Sequence, residues 1–267
     1  MSWSVVTYGD SNNPPVLCLH GFMGQGSDWE AVATTLEDSF YFICPDLPGH
    51  GNTPITESDT LESITPGLQT VLAEHNAQPV SVVGYSMGGR IALQFALEAP
   101  VQVSRLVLES ASPGIDSEEL RASRRQHDDA LAVTLAACQG DEAAFREFLE
   151  NWYSQPIFSS MQSDADARTI AIGERLRYNP AHLGMALRQF STGRQASHWE
   201  ALDQHTIPTL CVVGEMDRKF CGIAEAMSEA TPRIAVHTMA DCGHNVHLER
   251  PKSYTTVIRR FLLLSNQ

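Results

Sequence analysis

The stretch Val80-Ser-Val-Val-Gly-Tyr-Ser-Met-Gly-Gly89 constrains this chain more than any other. An apolar, β-branched run ends at Gly84-Tyr-Ser86-Met-Gly88 and passes straight into Arg90-Ile-Ala-Leu-Gln-Phe-Ala-Leu97, which has helical spacing. Strand, sharp turn and helix in that order put a serine on a strained corner. Gly84 and Gly88, two residues to either side, let the backbone bend so that Ser86 Oγ stands clear. The same serine then lies at a helix N-terminus, where unpaired N–H groups and the helix dipole favour developing negative charge. A glycine-flanked serine in an ordinary turn is the plainer reading, and partners elsewhere in the chain weigh against it.

Further apolar runs recur at Val16-Leu-Cys-Leu-His20, Tyr41-Phe-Ile-Cys44, Arg105-Leu-Val-Leu108 and Leu210-Cys-Val-Val213. Each is apolar on both sides of the pleat, as central strands covered by helices must be. Leu61 to His75, Arg90 to Leu97, Phe220 to Ala230 and Pro251 to Leu264 read as the covering helices, and Trp3 to Tyr8 as an antiparallel edge strand. Alternating strands and helices imply an α/β fold with a mostly parallel sheet. The rhythm breaks between about Ser112 and His205, where polar and helical patches such as Ser117 to Gln139 and Asp141 to Trp152 replace strands. The expected organisation is therefore a core of residues 1–111 and 206–267 with a helical cap, 112–205, inserted above the carboxyl edge of the sheet.

At 267 residues, one large domain with an insertion is the economical arrangement. A net charge of −14 argues against nucleic acid or an anionic membrane as partner, so any anionic substrate must be caught by local cations. No apolar run approaches the roughly 18 residues of a membrane span, and the first residues lack a basic region followed by an apolar one. The six cysteines form no CxxC pair, and Cys18, Cys44 and Cys211 fall inside apolar runs, which suits reduced cytoplasmic thiols; the sequence leaves the oligomeric state open, with a monomer as the expectation. Cys242 as a second nucleophile is the weaker reading. No metal, nucleotide or flavin signature is present, so no cofactor is expected.

A serine hydroxyl needs a base at neutral pH, and the base needs an acid to fix its tautomer. Gly214-Glu-Met-Asp217 follows the run ending at Val213, and Cys242-Gly-His244-Asn follows Ile234 to Met239. Both side chains should reach the sheet edge that carries Ser86, and the order Ser, Asp, His is a known one for this chemistry. Glu109 and Asp241 compete with Asp217 as the acid, and Asp241 lies too near His244 in sequence to address it easily. His20 and His50 suit loop hydrogen bonds better than catalysis, and His247 a supporting or helix-start position. An oxyanion hole needs two backbone donors: Met87 N–H after the serine and Phe22 N–H after the Val16 to His20 run. Arg90, four residues beyond Ser86, shares its helix face and leans back toward it, although pairing with a surface carboxylate would fit the spacing too.

Leu19-His-Gly-Phe22, Asp46-Leu-Pro-Gly-His-Gly51 and Gly84-Tyr-Ser-Met-Gly-Gly-Arg90 resemble the α/β-hydrolase superfamily. Asn151-Trp-Tyr-Ser-Gln-Pro-Ile-Phe158, Gly214-Glu-Met-Asp-Arg-Lys-Phe220 and Gly243-His-Asn-Val-His-Leu-Glu-Arg-Pro251 resemble, more narrowly, the MenH family of menaquinone and phylloquinone biosynthesis. That resemblance implies a lyase that eliminates pyruvate from a small polycarboxylate, with the serine acting as a base rather than as an acyl carrier. It also implies that Arg90, with Arg124 and Arg177 of the cap, binds substrate carboxylates, Arg125 being the alternative to Arg124. Trp152 and Tyr153 match cap aromatics that line the pocket, though a packed core pair would look the same. Lys219 is either a further polar contact or a surface charge. The competing activity is that of a carboxylesterase or carbon–carbon bond hydrolase working through an acyl-enzyme.

Overall fold

The seven apolar runs become strands: β1 (Val5–Tyr8), β2 (Pro15–Leu19), β3 (Tyr41–Pro45), β4 (Val80–Tyr85), β5 (Val103–Glu109), β6 (Thr209–Gly214) and β7 (Ile234–Met239). The computed structural model describes residues 2–162 and 165–264; Met1, 163–164 and 265–267 of the expected core and cap lie outside the described residues. The strands form one sheet in the order β1-β3-β2-β4-β5-β6-β7, parallel throughout except for β1, which pairs antiparallel with β3. The chain leaves β2 for β3 on one side and returns to β4 on the other, so the strand order reverses between β2 and β4, where α/β sheets open a crevice.

Successive side chains of a strand face opposite ways. Leu17, Leu19, Val82, Leu106 and Val213 therefore join one core, and Val16, Cys18, Val83, Val107 and Val212 the other. The first is covered by α2 (Leu61–Glu74), α3 (Met87–Glu98) and α9 (Arg218–Ala230), the second by α1 (Glu30–Leu36) and α11 (Pro251–Leu262). The expected edge strand is two residues shorter than its sequence run, because the Trp3 ring turns onto α2 beside Gly67. Helix α1 has no strong local signal: it is seven residues with a Val and two Thr, and burial of Val32, Ala33 and Leu36 against the second core carries it.

Between β5 and β6 the described residues contain helices and no strand: α4 (Glu118–Ala137), α5 (Glu142–Tyr153), α6 (Ser159–Gln162), α7 (Ala165–Arg175) and α8 (Pro180–Gln189), with α10 (Val246–Glu249) following β7. Side-chain caps start the long ones. Ser117 Oγ accepts from Leu120 N, Asp141 Oδ1 from Ala144 N, and Asn179 Oδ1 from two amides of α8, whose Pro180 needs no partner. The helices enclose a third core of Leu135, Phe145, Phe148, Leu149, Leu183 and Leu187, into which Met23 projects from below.

Leu19, fully buried at the centre of β2, should cost about 2–5 kcal/mol when cut to Ala. Val133, 71% exposed on α4, should cost under about 0.5 kcal/mol. Urea unfolding of the two variants checks the contrast.

Candidate active site

Ser86 is the N-cap of α3, with φ 51° and ψ −108°. A non-glycine residue there costs about 1–3 kcal/mol, and the surroundings hold it: Ser86 N donates to Glu109 O at 2.9 Å, and Arg90 N to Ser86 O at 3.0 Å. A Cβ on Gly88 would strike the carbonyl oxygens of Leu19 and His20, so only glycine lets α3 start this close to the end of β2.

The loops after β6 and β7 bring Asp217 and His244 to this corner. Asp217 Oδ2 lies 2.6 Å from His244 Nδ1, and His244 Nε2 lies 3.1 Å from Ser86 Oγ. A carboxylate only accepts, so Nδ1 carries the proton and neutral Nε2 is left to accept from the hydroxyl. The two loops interlock because Gly214 has no side chain: a Cβ there would collide with the carbonyls of Gly243 and Cys242. Met216 N adds a 2.9 Å bond to Cys242 O. Glu249 fixes the histidine loop from outside, its carboxylate accepting from Gly243 N at 2.8 Å and Asn245 N at 3.2 Å. Of the competing acids, Glu109 pairs with His247 instead, and no contact joins Asp241 to His244 among the described residues. Cys242 is buried and its thiol is pushed up to about 12, first by burial and then by Glu249 and Glu109, which leaves it protonated and unreactive.

Phe22 and Met87 flank the serine from the ends of β2 and β4, and neither main-chain N–H has an acceptor among the described residues. Gly21 packs so closely that a Cβ would lie 2.7 Å from the Tyr85 ring. The loop is propped by two histidines. His20 Nδ1 donates to Gly21 O at 2.8 Å while its Nε2 accepts from Leu47 N at 2.9 Å, and His50 Nδ1 donates to Pro48 O at 3.1 Å. Burial, and then the neighbouring His20, pushes the His50 imidazole down to about 3.

Above Ser86 lies a cavity of about 1260 Å³, whose wall includes Phe22, Met87, Arg90, Arg124, Trp152, Tyr153, Lys219 and His244. Arg90 is buried and donates to Gln195 Oε1 at 2.6 Å and Phe190 O at 2.8 Å, both neutral acceptors. Arg124 uses Nε on both oxygens of Asp128, 2.8 Å each, and its terminal nitrogens have no protein partner among the described residues. Arg125 turns away, to Gly193 O and Glu118. Arg177 departs from expectation: it is 73% exposed, pairs with Glu174 at 3.3 Å and does not line the cavity. Arg175 does, with its side chain 11% exposed and bonded to Asp28 Oδ2 at 3.1 Å. Two residues at the end of a helix diverge by roughly 200° around its axis, so only one of the pair can face inward. Trp152 stacks on Phe148 and meets Phe22 edge-on at 5.2 Å, so it serves the third core and the cavity wall together. Tyr153 is buried against Phe158. Lys219 is exposed at the rim, its ammonium 5.4 Å from the Phe220 ring. Sequence reasoning missed Arg175, Asp28 and Gln195; the last two sit in segments with no spacing signal.

Residues 14–251 match the family described as the alpha/beta hydrolase fold. The chain is 34% identical to the putative 2-succinyl-6-hydroxy-2,4-cyclohexadiene-1-carboxylate synthase of Bacillus subtilis (strain 168), over 97% of this chain and 94% of that one. It is 32% identical to the synthase of that name from Enterobacter sp. (strain 638), over 96% and 94%. Among solved structures, MenH from S. aureus superposes with a TM-score of 0.88 at 32% identity, covering 98% of each chain.

The buried histidines beneath the loop that follows β2 set a pH dependence of stability. With its folded value near 3 and its unfolded value near the ordinary 6.5, His50 takes up a proton only on unfolding, so stability is full above about pH 6.5 and falls as pH drops toward 3. The slope is about 1.4 kcal/mol per pH unit per histidine. His50→Gln should flatten the decline, and urea titrations between pH 7 and 4 measure it; an unchanged slope would place the acid sensitivity elsewhere.

Proposed function

The chain belongs to the MenH family of the α/β-hydrolase superfamily, and from that membership we propose that it is a lyase converting 2-succinyl-5-enolpyruvyl-6-hydroxy-3-cyclohexene-1-carboxylate to 2-succinyl-6-hydroxy-2,4-cyclohexadiene-1-carboxylate in menaquinone or phylloquinone biosynthesis. The observation that carries the reading at the site is the convergence of three guanidinium groups, from Arg90, Arg124 and Arg175, on the wall of a cavity floored by Ser86. A substrate with three carboxylates needs fork-shaped cations in a partly desolvated pocket, and arginine suits bidentate carboxylate binding.

In this reading Ser86, its proton held by His244, removes a proton from the ring carbon beside the succinyl ketone. The electron pair passes first onto the ketone oxygen, where the N–H groups of Phe22 and Met87 stabilise it. It then returns to the ring, a second double bond forms, and the carbon–oxygen bond to the enolpyruvyl group breaks. The departing enolate takes the proton that His244 holds and leaves as pyruvate, while the ring proton stays on Ser86 and restores its hydroxyl. Water takes no part, so an aromatic-lined cavity closed by the cap favours elimination over hydrolysis. Asp217 holds His244 in the tautomer that this cycle needs. Residues 112–205 act as the cap on a core of 1–111 and 206–267, and the enzyme works as a cytoplasmic monomer. No described helix is long and apolar enough to cross a membrane.

Pyruvate release, coupled to nicotinamide oxidation, tests each assignment. Ser86→Ala should lose at least about 10³-fold in kcat, and Asp217→Asn about 10²- to 10⁴-fold with little change in KM. Arg175→Ala should raise KM about 10- to 100-fold while leaving kcat within a few-fold, and Arg177→Ala should do neither. Full turnover by Ser86→Ala would end the proposal. A burst with neutral aryl esters that ignores Arg124→Ala would favour an acyl-enzyme hydrolase instead.

A further inference from the structure

Glu109 ends β5, is completely buried and takes no part in the chemistry above. Its two ends nevertheless hold two different parts of the site. The main-chain carbonyl accepts from Ser86 N at 2.9 Å, fixing the amide of the strained serine. The carboxylate accepts from His247, from its main-chain N–H at 3.0 Å and from its ring Nδ1 at 2.9 Å to each oxygen. His247 lies three residues beyond His244, at the second position of the short helix α10, whose N-cap Asn245 directly follows His244. A buried carboxylate is strongly disfavoured unless its partners stay in place, so the contact is not free to loosen.

The imidazole is also clamped. Trp29, fully buried, stacks on the His247 ring with centroids 4.2 Å apart and planes 17° from parallel. Tyr85 meets His247 edge-on at 5.2 Å and lies 5.4 Å from His244. Glu109 itself is anchored on both sides, opposite Tyr85 of β4 and Val212 of β6, the strands that lead to Ser86 and Asp217. We propose that Glu109 is a positioning residue that joins the serine's turn to the histidine's loop through one amino acid, so that β5 sets the 3.1 Å approach of His244 Nε2 to Ser86 Oγ. The inference rests on the reading of Ser86 and His244 as the catalytic pair.

Displacing a reacting group by about 1 Å costs on the order of 100-fold. Glu109→Ala should therefore lower kcat for pyruvate release about 10- to 100-fold with KM within about twofold. Glu109→Gln, which keeps the size and an acceptor but not the charge, should recover to within about threefold of the parent. Should Glu109→Ala fail to fold, His247→Gln carries the same expectation, since it removes the ring while Glu109 stays. Parent-like kcat in Glu109→Ala or His247→Gln, a loss confined to KM, or a Gln variant no better than Ala overturns the proposal. If the parent enzyme releases no pyruvate, the lyase reading fails alone, and crystal structures of Glu109→Gln and His247→Gln decide the positioning. The serine–imidazole bond should persist in the first and open beyond hydrogen-bond reach in the second; an unchanged bond in His247→Gln counts against it.

Discussion

One hydrogen bond, 3.1 Å from His244 Nε2 to Ser86 Oγ, depends on almost everything else in the structure. Its two ends are 158 residues apart in the chain, on different strands, and neither end is held by its own local segment alone. The serine sits in a backbone conformation that other contacts must stabilise, and the histidine sits in a loop braced by Glu249 on one flank and Glu109 on the other. The sheet is what makes this affordable. Parallel strands with close-packed helices on both faces give a carboxyl edge rigid enough for three loops to meet within tenths of an ångström.

Glycine does much of the fitting at that edge. Where β2 abuts the start of α3, and where the aspartate loop abuts the histidine loop, backbone touches backbone and a single Cβ would push the elements apart. The conformational entropy that Gly88 and Gly214 cost is offset by a geometry no larger residue permits. The same compactness explains why buried polar groups cluster here: each loop carries amides that must find partners, and Glu109, Glu249, Asp46 and His20 supply them.

Much of this was legible in the sequence because it follows from burial and chain order. Strands apolar on both pleat faces announce a covered parallel sheet, and residues following such strands must arrive at one edge, which is why Ser86, Asp217 and His244 could be picked out together. What was not legible depends on packing between distant segments. Arg175 and Arg177 are chemically equivalent in sequence, and the choice between them is made by how the end of α7 settles on the third core through Ile172 and Leu176. Gln195 meets Arg90 across 105 residues with no periodic signal to mark it. Glu109 was visible only as a rival to Asp217; that it faces His247 rather than His244 is a matter of register between β5 and the segment after β7.

The charge of the molecule sharpens the role of the arginines. A chain of net charge −14 repels a polyanion at long range, so capture of the proposed anionic substrate must come from fields confined to the cavity. The arrangement around Arg90 serves that end. A buried guanidinium bonded only to the amide oxygen of Gln195 and the carbonyl of Phe190 keeps its full positive charge uncancelled at contact distance, whereas a carboxylate partner would have spent it. Burial, and then the nearby Arg124, push this group down to about 10, with Asp128 acting the other way, and it remains well above neutrality and therefore charged. Arg124 and Arg175 are each tied to an acid, Asp128 and Asp28, but through part of the fork only, so orientation is fixed while other N–H groups remain for a ligand. A preorganised cationic wall of this kind loses little entropy when a carboxylate arrives. In the proposed reaction, the attraction it supplies is strongest inside the cavity, away from bulk water, and an acidic protein can there select an anionic substrate without attracting polyanions to its surface.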